Sequence, residues 1–258
     1  MSTHTLVTGA SSGIGRELSV LCAADKKNLV LVARSEDKLS ELAEWLRAQH
    51  GVRAEVLVQD LGAPRAAEHI WNEVTARGLE IDALVNNAGF GYLGAFHDAE
   101  IDNQLDMLQL NIVVLTHLTR LFLPEMIARG RGQILNVAST ASFQPGPFMA
   151  VYYATKAYVL SFSEALAEEL RGTGVTVTAL CPGVTATGFQ ARAQSADSRL
   201  IRFGMQDARF VAEAGYRAMV QGKAVAIPGV ANRLLTLLVR LSPRFVVRRV
   251  VRHLNLGA

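Results

Sequence analysis

Short runs of β-branched and aliphatic residues alternate along the chain with longer stretches in which apolar residues recur every three or four positions. This is the pattern of βα units wound into a parallel sheet. Seven runs read as strands: HTLVTG, NLVLVAR, AEVLVQD, IDALVNN, GQILNVAS, GVTVTALCP and KAVAIP. NLVLVAR is apolar almost without a break, as a strand buried on both faces requires. The segment after it, SEDKLSELAEWLRAQHG, predicts a helix: Ser35 can cap, Glu36 and Asp37 suit the first turn, Leu39, Leu42, Ala43 and Leu46 form one stripe, and Gly51 can terminate. Pro64 suits the first turn of another helix, and a long helix is expected from about Ala99 through Leu123, ending before or bending at Pro124. No repeat or low-complexity linker interrupts the series. The expected organisation is one domain over residues 1–230, continued by a basic amphipathic helical extension over 231–258.

Composition narrows the class. Of 258 residues, 50% are hydrophobic and 19% charged, which suits a globular chain with one large core. The N-terminal MSTHTLVTGA lacks a basic region followed by an apolar core, and no segment offers about 18 uninterrupted apolar residues, so neither a secretory leader nor a membrane span is expected. Cys22 and Cys181 show no CxxC spacing and the histidines form no ligand cluster, which predicts a reducing, cytoplasmic setting without a metal. The net charge of +3 hides an asymmetry. Glu213 is the last acidic residue, and beyond it come Arg217, Lys223, Arg233, Arg240, Arg244, Arg248, Arg249 and Arg252.

The first candidate chemistry lies where strand one should hand over to a helix. TGASSGIGR puts Gly9, Gly13 and Gly15 there, with Ser11, Ser12 and Ile14 between them. Glycines permit a tight turn and close approach of backbone to phosphate, and a helix N-terminus supplies unpaired N–H groups and a favourable dipole. A dinucleotide site next presents a residue to the adenosine ribose from the end of strand two, which here is Arg34, followed by Ser35. A carboxylate at that point would favour the 2′-hydroxyl of NAD, whereas a guanidinium pairs with a 2′-phosphate, so NADP(H) is preferred over NAD(H).

Further along, VYYATKAY places three tyrosines and a lysine within two helical turns. Residues three and four apart are neighbours on a helix, so Tyr152 and Tyr153 can both lie near Lys156, and local geometry does not choose between them. An unperturbed phenol has a pKa near 10, and a nearby ammonium lowers it by favouring phenolate, which makes Lys156 the expected lever.

TGASSGIG, NNAG at Asn86 to Gly89, Ser139, YYATK and PGVTAT at Pro182 to Thr187 occur in one order. Together they resemble the short-chain dehydrogenase/reductase family over roughly residues 4 to 228, in a branch similar to hydroxysteroid dehydrogenases and long-chain 3-ketoacyl reductases. The resemblance implies a Rossmann-type doubly wound α/β fold with helices on both faces of the sheet, and a catalytic tetrad of Asn111, Ser139, Tyr152 and Lys156. It selects Tyr152 through the Y-x-x-x-K spacing, leaves Tyr153 on the helix flank toward the pocket wall or a partner, and leaves Tyr158 to packing. It also implies contacts of Asp60 and Leu61 with adenine, of Asn87, Ala88 and Gly89 beside the ribose, and of Pro182, Gly183, Val184 and Thr187 around the nicotinamide. One departure is Ser12, where many NADP-using members carry a basic residue. Asn111, inside the apolar run LQLNIVVL, reads either as a satisfied core amide or, by the resemblance, as a helix kink holding a water that links Lys156 to solvent.

The implied chemistry is hydride transfer, with Lys156 binding the nicotinamide ribose, Tyr152 protonating the substrate oxygen and Ser139 orienting it. The loops that the resemblance assigns to the substrate carry Phe90, Phe143, Phe148, Met149 and Phe189, an apolar lining suited to a hydrophobic ketone or alcohol of lipid, acyl or sterol-like type. Phe189 to Gln206 reads as a mobile lid. In the extension, Leu234, Leu237, Leu238 and Leu241 form one stripe, Ser242 and Pro243 start a second helix, and Arg244, Arg248 and Arg252 recur opposite Val247, Val250, Val251 and Leu254. Such a pair suits an anionic membrane surface or an acyl carrier, and equally suits completing the fold or covering a dimer. A homodimer or homotetramer through the helices around Asn111 and Tyr152 is implied by the resemblance. Nucleic acid is not expected as a partner, because Phe245 is the tail's sole interleaved aromatic. The alternative to an enzyme is a cofactor-bound regulatory or membrane-associated scaffold that retains the fold.

Overall fold

A computed structural model describes residues 3–189, 193 and 204–256. Seven parallel strands form one sheet in the order β3-β2-β1-β4-β5-β6-β7. They are β1 (Thr3–Thr8), β2 (Asn28–Ala33), β3 (Ala54–Val58), β4 (Glu80–Asn86), β5 (Gly132–Val137), β6 (Val175–Leu180) and the short β7 (Val225–Ala226). The strand order reverses between β1 and β4, and a crevice opens outside the carboxyl ends of strands at such a switch point.

Successive strand residues point to opposite faces, so each central strand feeds two cores. Val7, Leu29, Leu31 and Leu135 face α1 (Gly13–Ala24), α2 (Glu36–His50) and a later helix, α7 (Ala208–Val220). Leu6, Val30, Leu84 and Ile134 face α3 (Ala66–Ala76) and α5 (Leu115–Ala128), with Leu166 and Leu170 at the end of α6 (Ala150–Glu169) packing on the same side. This two-sided burial is why the strands read as continuous apolar runs.

Three local expectations are corrected. Ser35 occupies the N-cap of α2, but its side chain makes no capping bond, whereas Gly51 does end the helix at φ +67. Pro64 stays outside α3, which begins at Ala66 after Arg65 adopts a left-handed φ of 60°. The long helix starts at Ile101, close to the expected Ala99, but runs past Pro124 instead of ending before it. It begins as α4 (Ile101–Leu108), passes through a π-helical segment (Gln109–Val114) and continues as α5 to Ala128 with Pro124 inside it. Proline cannot donate to the carbonyl one turn back, at Arg120. Arg120 and Pro124 both face solvent, so water can take that carbonyl's bond at little cost. The combined helix is long and apolar enough to cross a membrane, yet Leu115, Leu118, Phe122 and Met126 are buried in the domain, which makes it a core helix.

After β7 come α8 (Val230–Leu241) and α9 (Arg244–Asn255), joined at Ser242 and Pro243. Val247, Val251 and Asn255 form the buried face of α9, and the two valines pack with Ala141, Met149 and Tyr153. In α8, Thr236 alone is buried.

Candidate active site

The chain leaves β1 at Thr8 and turns through Gly9 into α1. Gly9 and Gly13 have φ of +66° and +54°, a region L side chains rarely adopt. A Cβ at Gly15 would lie 2.4 Å from both the Asn87 Nδ2 and the Gly9 carbonyl oxygen, so only glycine lets the helix approach the end of β4. A Cβ at Gly13 would meet Thr187 Cγ2 at 2.9 Å, which brings the segment after β6 over the same turn. Ser12 is the N-cap of α1 and its side chain makes no capping bond. The first-turn N–H groups at Gly13, Ile14 and Gly15 have no intrahelical partner, as at any helix start.

Thr8, absent from the sequence-based expectation, fastens β1 to β4. Its hydroxyl donates to the Val85 carbonyl at 3.1 Å and accepts the N–H groups of Asn87 at 2.9 Å and Ala88 at 3.1 Å. Asn87 Nδ2 donates back to the Thr8 carbonyl at 2.9 Å. Gly89 lies so close to the catalytic candidates that a Cβ there would stand 2.9 Å from Asn111 Oδ1 and 3.4 Å from Lys156 Nζ. At the far end of the crevice, the Arg34 guanidinium and the Asp60 carboxylate approach to 4.0 Å with both side chains more than half exposed, a contact worth little in water. Asp60 also accepts the Gly62 N–H at 2.9 Å, and the neighbouring Leu61 is buried.

The tetrad candidates converge from three elements. Ser139 follows β5 and caps a 3₁₀ turn (Thr140–Phe143), accepting the Ala141 N–H at 3.1 Å. Its side chain lies beside Tyr152 on α6 and favours the ionised phenol, and its hydroxyl approaches the Pro182 carbonyl at 3.4 Å. Lys156 Nζ donates to the Val137 carbonyl at 2.8 Å and stands 5.9 Å from the centre of the Tyr152 ring. Asn111 lies in the π-helical segment. Its carboxamide accepts the Phe90 N–H at 3.1 Å and donates to the Phe90 carbonyl at 2.9 Å and to Thr155 Oγ1 at 3.1 Å. Helix distortion and a satisfied amide therefore coexist at this residue. Two hydroxyls that the sequence did not single out support the group. Ser142 donates to the Lys156 carbonyl at 2.7 Å, and Thr155 donates to the Tyr152 carbonyl at 2.7 Å. Both stand beside recognisable motif positions, but small hydroxyl residues carry no pattern that would mark them.

The electrostatics differ from the sequence-based expectation. The Lys156 ammonium does not lower the Tyr152 phenol. Burial pushes that phenol above its ordinary value, and the nearby Ser139 side chain offsets only part of the rise. Lys156 is itself lowered to about 8, chiefly by desolvation, with the Cys181 thiol acting weakly in the opposite sense. In this geometry the phenol is held protonated.

Tyr153 does not line the pocket. Its ring is buried over Gly146, and its hydroxyl turns to Asn255 at the end of α9. Tyr158 packs at the surface: it is 37% exposed, stacks on Phe162 and shares a hydrogen bond with Thr116 at 2.9 Å.

The candidate substrate cleft beside Tyr152 is narrow, a cavity of about 20 Å³ lined by Tyr92, Phe96, Gln104, Phe148 and Met149. The Phe189 ring packs 5.4 Å from that of Tyr152. Phe143 is corrected: it packs against the cluster of Ala138, Val159, Leu160 and Cys181 and lies under the Arg240 guanidinium of α8, because the 3₁₀ turn after Ser139 carries it away from the cleft. Phe90 is buried with its backbone clamped by Asn111. Tyr92 and Phe96 were not anticipated, although GFGYLGAF carries them in plain sight. The expected lid over Phe189–Gln206 lies outside the described residues except at Phe189, Ala193 and 204–206; Ala193 accepts the Leu93 N–H at 2.9 Å. Val184 and Gly183 bond Gln206, which fastens the segment after β6.

Comparison with known proteins gives a consistent picture. The short chain dehydrogenase profile matches residues 3–198. A very-long-chain 3-oxoacyl-CoA reductase from Anas platyrhynchos is 37% identical over 193 residues, covering 72% of this chain and 61% of that one. The chain thus spans about three-fifths of the length of the curated relatives it matches. Among solved structures, a short-chain dehydrogenase from Sphingobium yanoikuyae in complex with NADPH is 32% identical with a TM-score of 0.83, covering 91% of this chain and 92% of that one. The bulky-bulky ketone specific alcohol dehydrogenase from Comamonas testosteroni is 30% identical with a TM-score of 0.78, covering 91% and 90%. With a family match that spans the glycine turn, Ser139, Tyr152 and Lys156 alike, the chain belongs to the short-chain dehydrogenase family.

Proposed function

We propose that the protein transfers hydride between NADP(H) and the carbonyl or alcohol carbon of a hydrophobic substrate, a long-chain 3-oxoacyl group or a bulky ketone. The observation that carries this reading is the convergence of Ser139, Tyr152 and Lys156, with Lys156 Nζ 5.9 Å from the Tyr152 ring centre and Tyr92, Phe96, Phe148 and Met149 lining the space beside Tyr152. The names of relatives that act on 3-oxoacyl-CoA or bulky ketones support the substrate class.

The residues present fit a dinucleotide. Close approach at Gly9, Gly13 and Gly15 leaves a backbone cradle that side chains would fill, at the start of a helix whose dipole favours phosphate. Arg34, held by no more than an exposed contact with Asp60, suits a 2′-phosphate, and Ser35 stands beside it. Asp60 and Leu61 would meet the adenine. Asn87 to Gly89 would meet the adjoining ribose, and Pro182 to Val184 with Thr187 the nicotinamide end. The nicotinamide supplies the hydride when bound.

The chain's own groups do the rest. As negative charge grows on the substrate oxygen, Tyr152 Oη donates its proton there and Ser139 Oγ supplies a second hydrogen bond. Burial keeps the phenol protonated, the form that reduction consumes. Lys156 would hold the ribose hydroxyls near Tyr152, and Asn111 fixes the Phe90 backbone beside them. The aromatic side chains beside Tyr152 suit an apolar chain or ring.

Homo-oligomerisation through the helices around Asn111 and Tyr152 belongs to the same reading, supported by the exposed Val113 of the π-helical segment and Tyr158 of α6. So does a cytoplasmic setting, which the buried free thiols of Cys22 and Cys181 favour. NADPH oxidation with a panel of 3-oxoacyl thioesters and bulky ketones tests the function. Turnover that Tyr152→Phe removes is expected; no turnover with any of them would sink the reading.

A further inference from the structure

We infer that α8 and the outer side of α9 form a docking surface for an anionic lipid bilayer, an inference that stands independently of the reductase reading. Val230, Leu234, Leu237 and Leu241 recur at helical spacing on one side of α8, and they are 79%, 56%, 53% and 75% exposed. Four large aliphatic side chains in one exposed row are uncommon on a soluble surface and mark an interaction site. Arg233 and Arg240 flank the row. Past the corner at Ser242 and Pro243, the exposed Phe245 stands among Arg244, Arg248 and Arg249.

Charge decides the occupant. Among the described residues none of these arginines pairs with a carboxylate, and no acidic residue follows Glu213 in the chain. A second copy docking by the same face would bring arginine against arginine, since a twofold contact opposes a patch to itself. Anionic headgroups satisfy the arginines while the acyl region receives the leucines, the arrangement of an amphipathic helix lying in the interfacial plane.

The surface is fastened to the candidate active site. Val247 and Val251 bury against Met149 and Tyr153, and the Arg252 guanidinium lies over the Phe148 ring. Phe148 and Met149 also line the cleft, so a bilayer on α8 and α9 would lie beside the cleft wall.

Vesicle flotation of the full-length protein tests this, with phosphatidylcholine vesicles and with phosphatidylcholine vesicles containing phosphatidylserine. Wild type should float with the anionic vesicles and release at high salt. The combined Arg244→Gln, Arg248→Gln and Arg249→Gln variant should bind them roughly a hundredfold more weakly, about fivefold per arginine. The combined Leu234→Ser, Leu237→Ser and Leu241→Ser variant, altered only at exposed positions, should stop floating yet keep wild-type turnover of a short water-soluble ketone. Wild type remaining unbound, or the leucine variant floating as wild type does, overturns the proposal. A fall in the leucine variant's sedimenting mass would assign the face to a second copy and also overturn it. Flotation without turnover of any ketone would remove the reductase reading and leave the bilayer surface standing.

Discussion

The hydroxyl of Tyr153 meets the carboxamide oxygen of Asn255 at 3.4 Å, while the nitrogen of the same carboxamide donates to the Pro147 carbonyl at 2.7 Å. Adjacent tyrosines therefore serve different parts of the molecule. Tyr152 meets Ser139, and Tyr153 ties α6 to the last helix, which Asn255 in turn fastens to the loop that precedes α6. Tyr153→Phe should keep turnover within a few-fold and lower stability by about 1 kcal/mol, read by thermal or denaturant unfolding. Tyr152→Phe should lower kcat by about 10²-fold or more with cofactor binding nearly intact. The reverse pattern would show that the wrong tyrosine has been assigned.

On the proposed reading, Arg34 sets the cofactor preference. Replacing Arg34 with Ala should weaken NADPH binding about 10- to 100-fold, the loss of charge-assisted hydrogen bonds to a 2′-phosphate, and leave NADH binding nearly unchanged. Fluorescence titration with both nucleotides reads it. Wild-type protein binding NADH more tightly than NADPH would reverse the assignment.

Lys156 makes stability depend on pH. Its folded-state pKa of about 8 lies below the ordinary 10.5, so between those values the unfolded chain binds more protons and stability rises with pH. The penalty is present in full below about pH 8, amounts to about 3 kcal/mol, and is relieved as pH approaches 10.5. Lys156→Met removes the group. Its stability relative to wild type should therefore be greatest at neutral pH and decline through the alkaline range, measured by urea unfolding at a series of pH values. A pH-independent difference would show that burial does not depress this lysine.

Gly15 tests the cradle. Gly15→Ala would drive a methyl against Asn87 Nδ2 and the Gly9 carbonyl. Despite alanine's better helix propensity, the variant should lose stability by about 1–3 kcal/mol and lose nucleotide affinity with it. Calorimetric titration alongside a melting curve separates the two effects.

Much of this was legible beforehand because the central strands are buried on both faces and announce themselves as unbroken apolar runs. The π-helical segment was not legible. Gln104, Met107, Asn111, Val114 and Leu118 are buried at spacings of three and four, so a slip in backbone hydrogen bonding leaves the side-chain period looking like an ordinary helix. Pro124 misled for a related reason: its rule concerns a backbone carbonyl, and whether that carbonyl reaches water is a tertiary fact. Phe143 and Phe148 lie in one short loop, but the 3₁₀ turn sends the first to α8 while the second joins the cleft. Asn255 gave no signal because its partners lie more than 100 residues away.

Phe148 has a further consequence. It holds a φ of +65°, a left-handed conformation that costs a bulky residue energy, and its ring lines the cleft. A glycine there would relax the backbone and enlarge the space beside Tyr152 in one step, at the expense of the stacked Arg252 contact. In most enzymes broader substrate acceptance is gained against stability. At this position the released backbone strain offsets part of that loss, which makes residue 148 the natural starting point for directed evolution toward larger substrates.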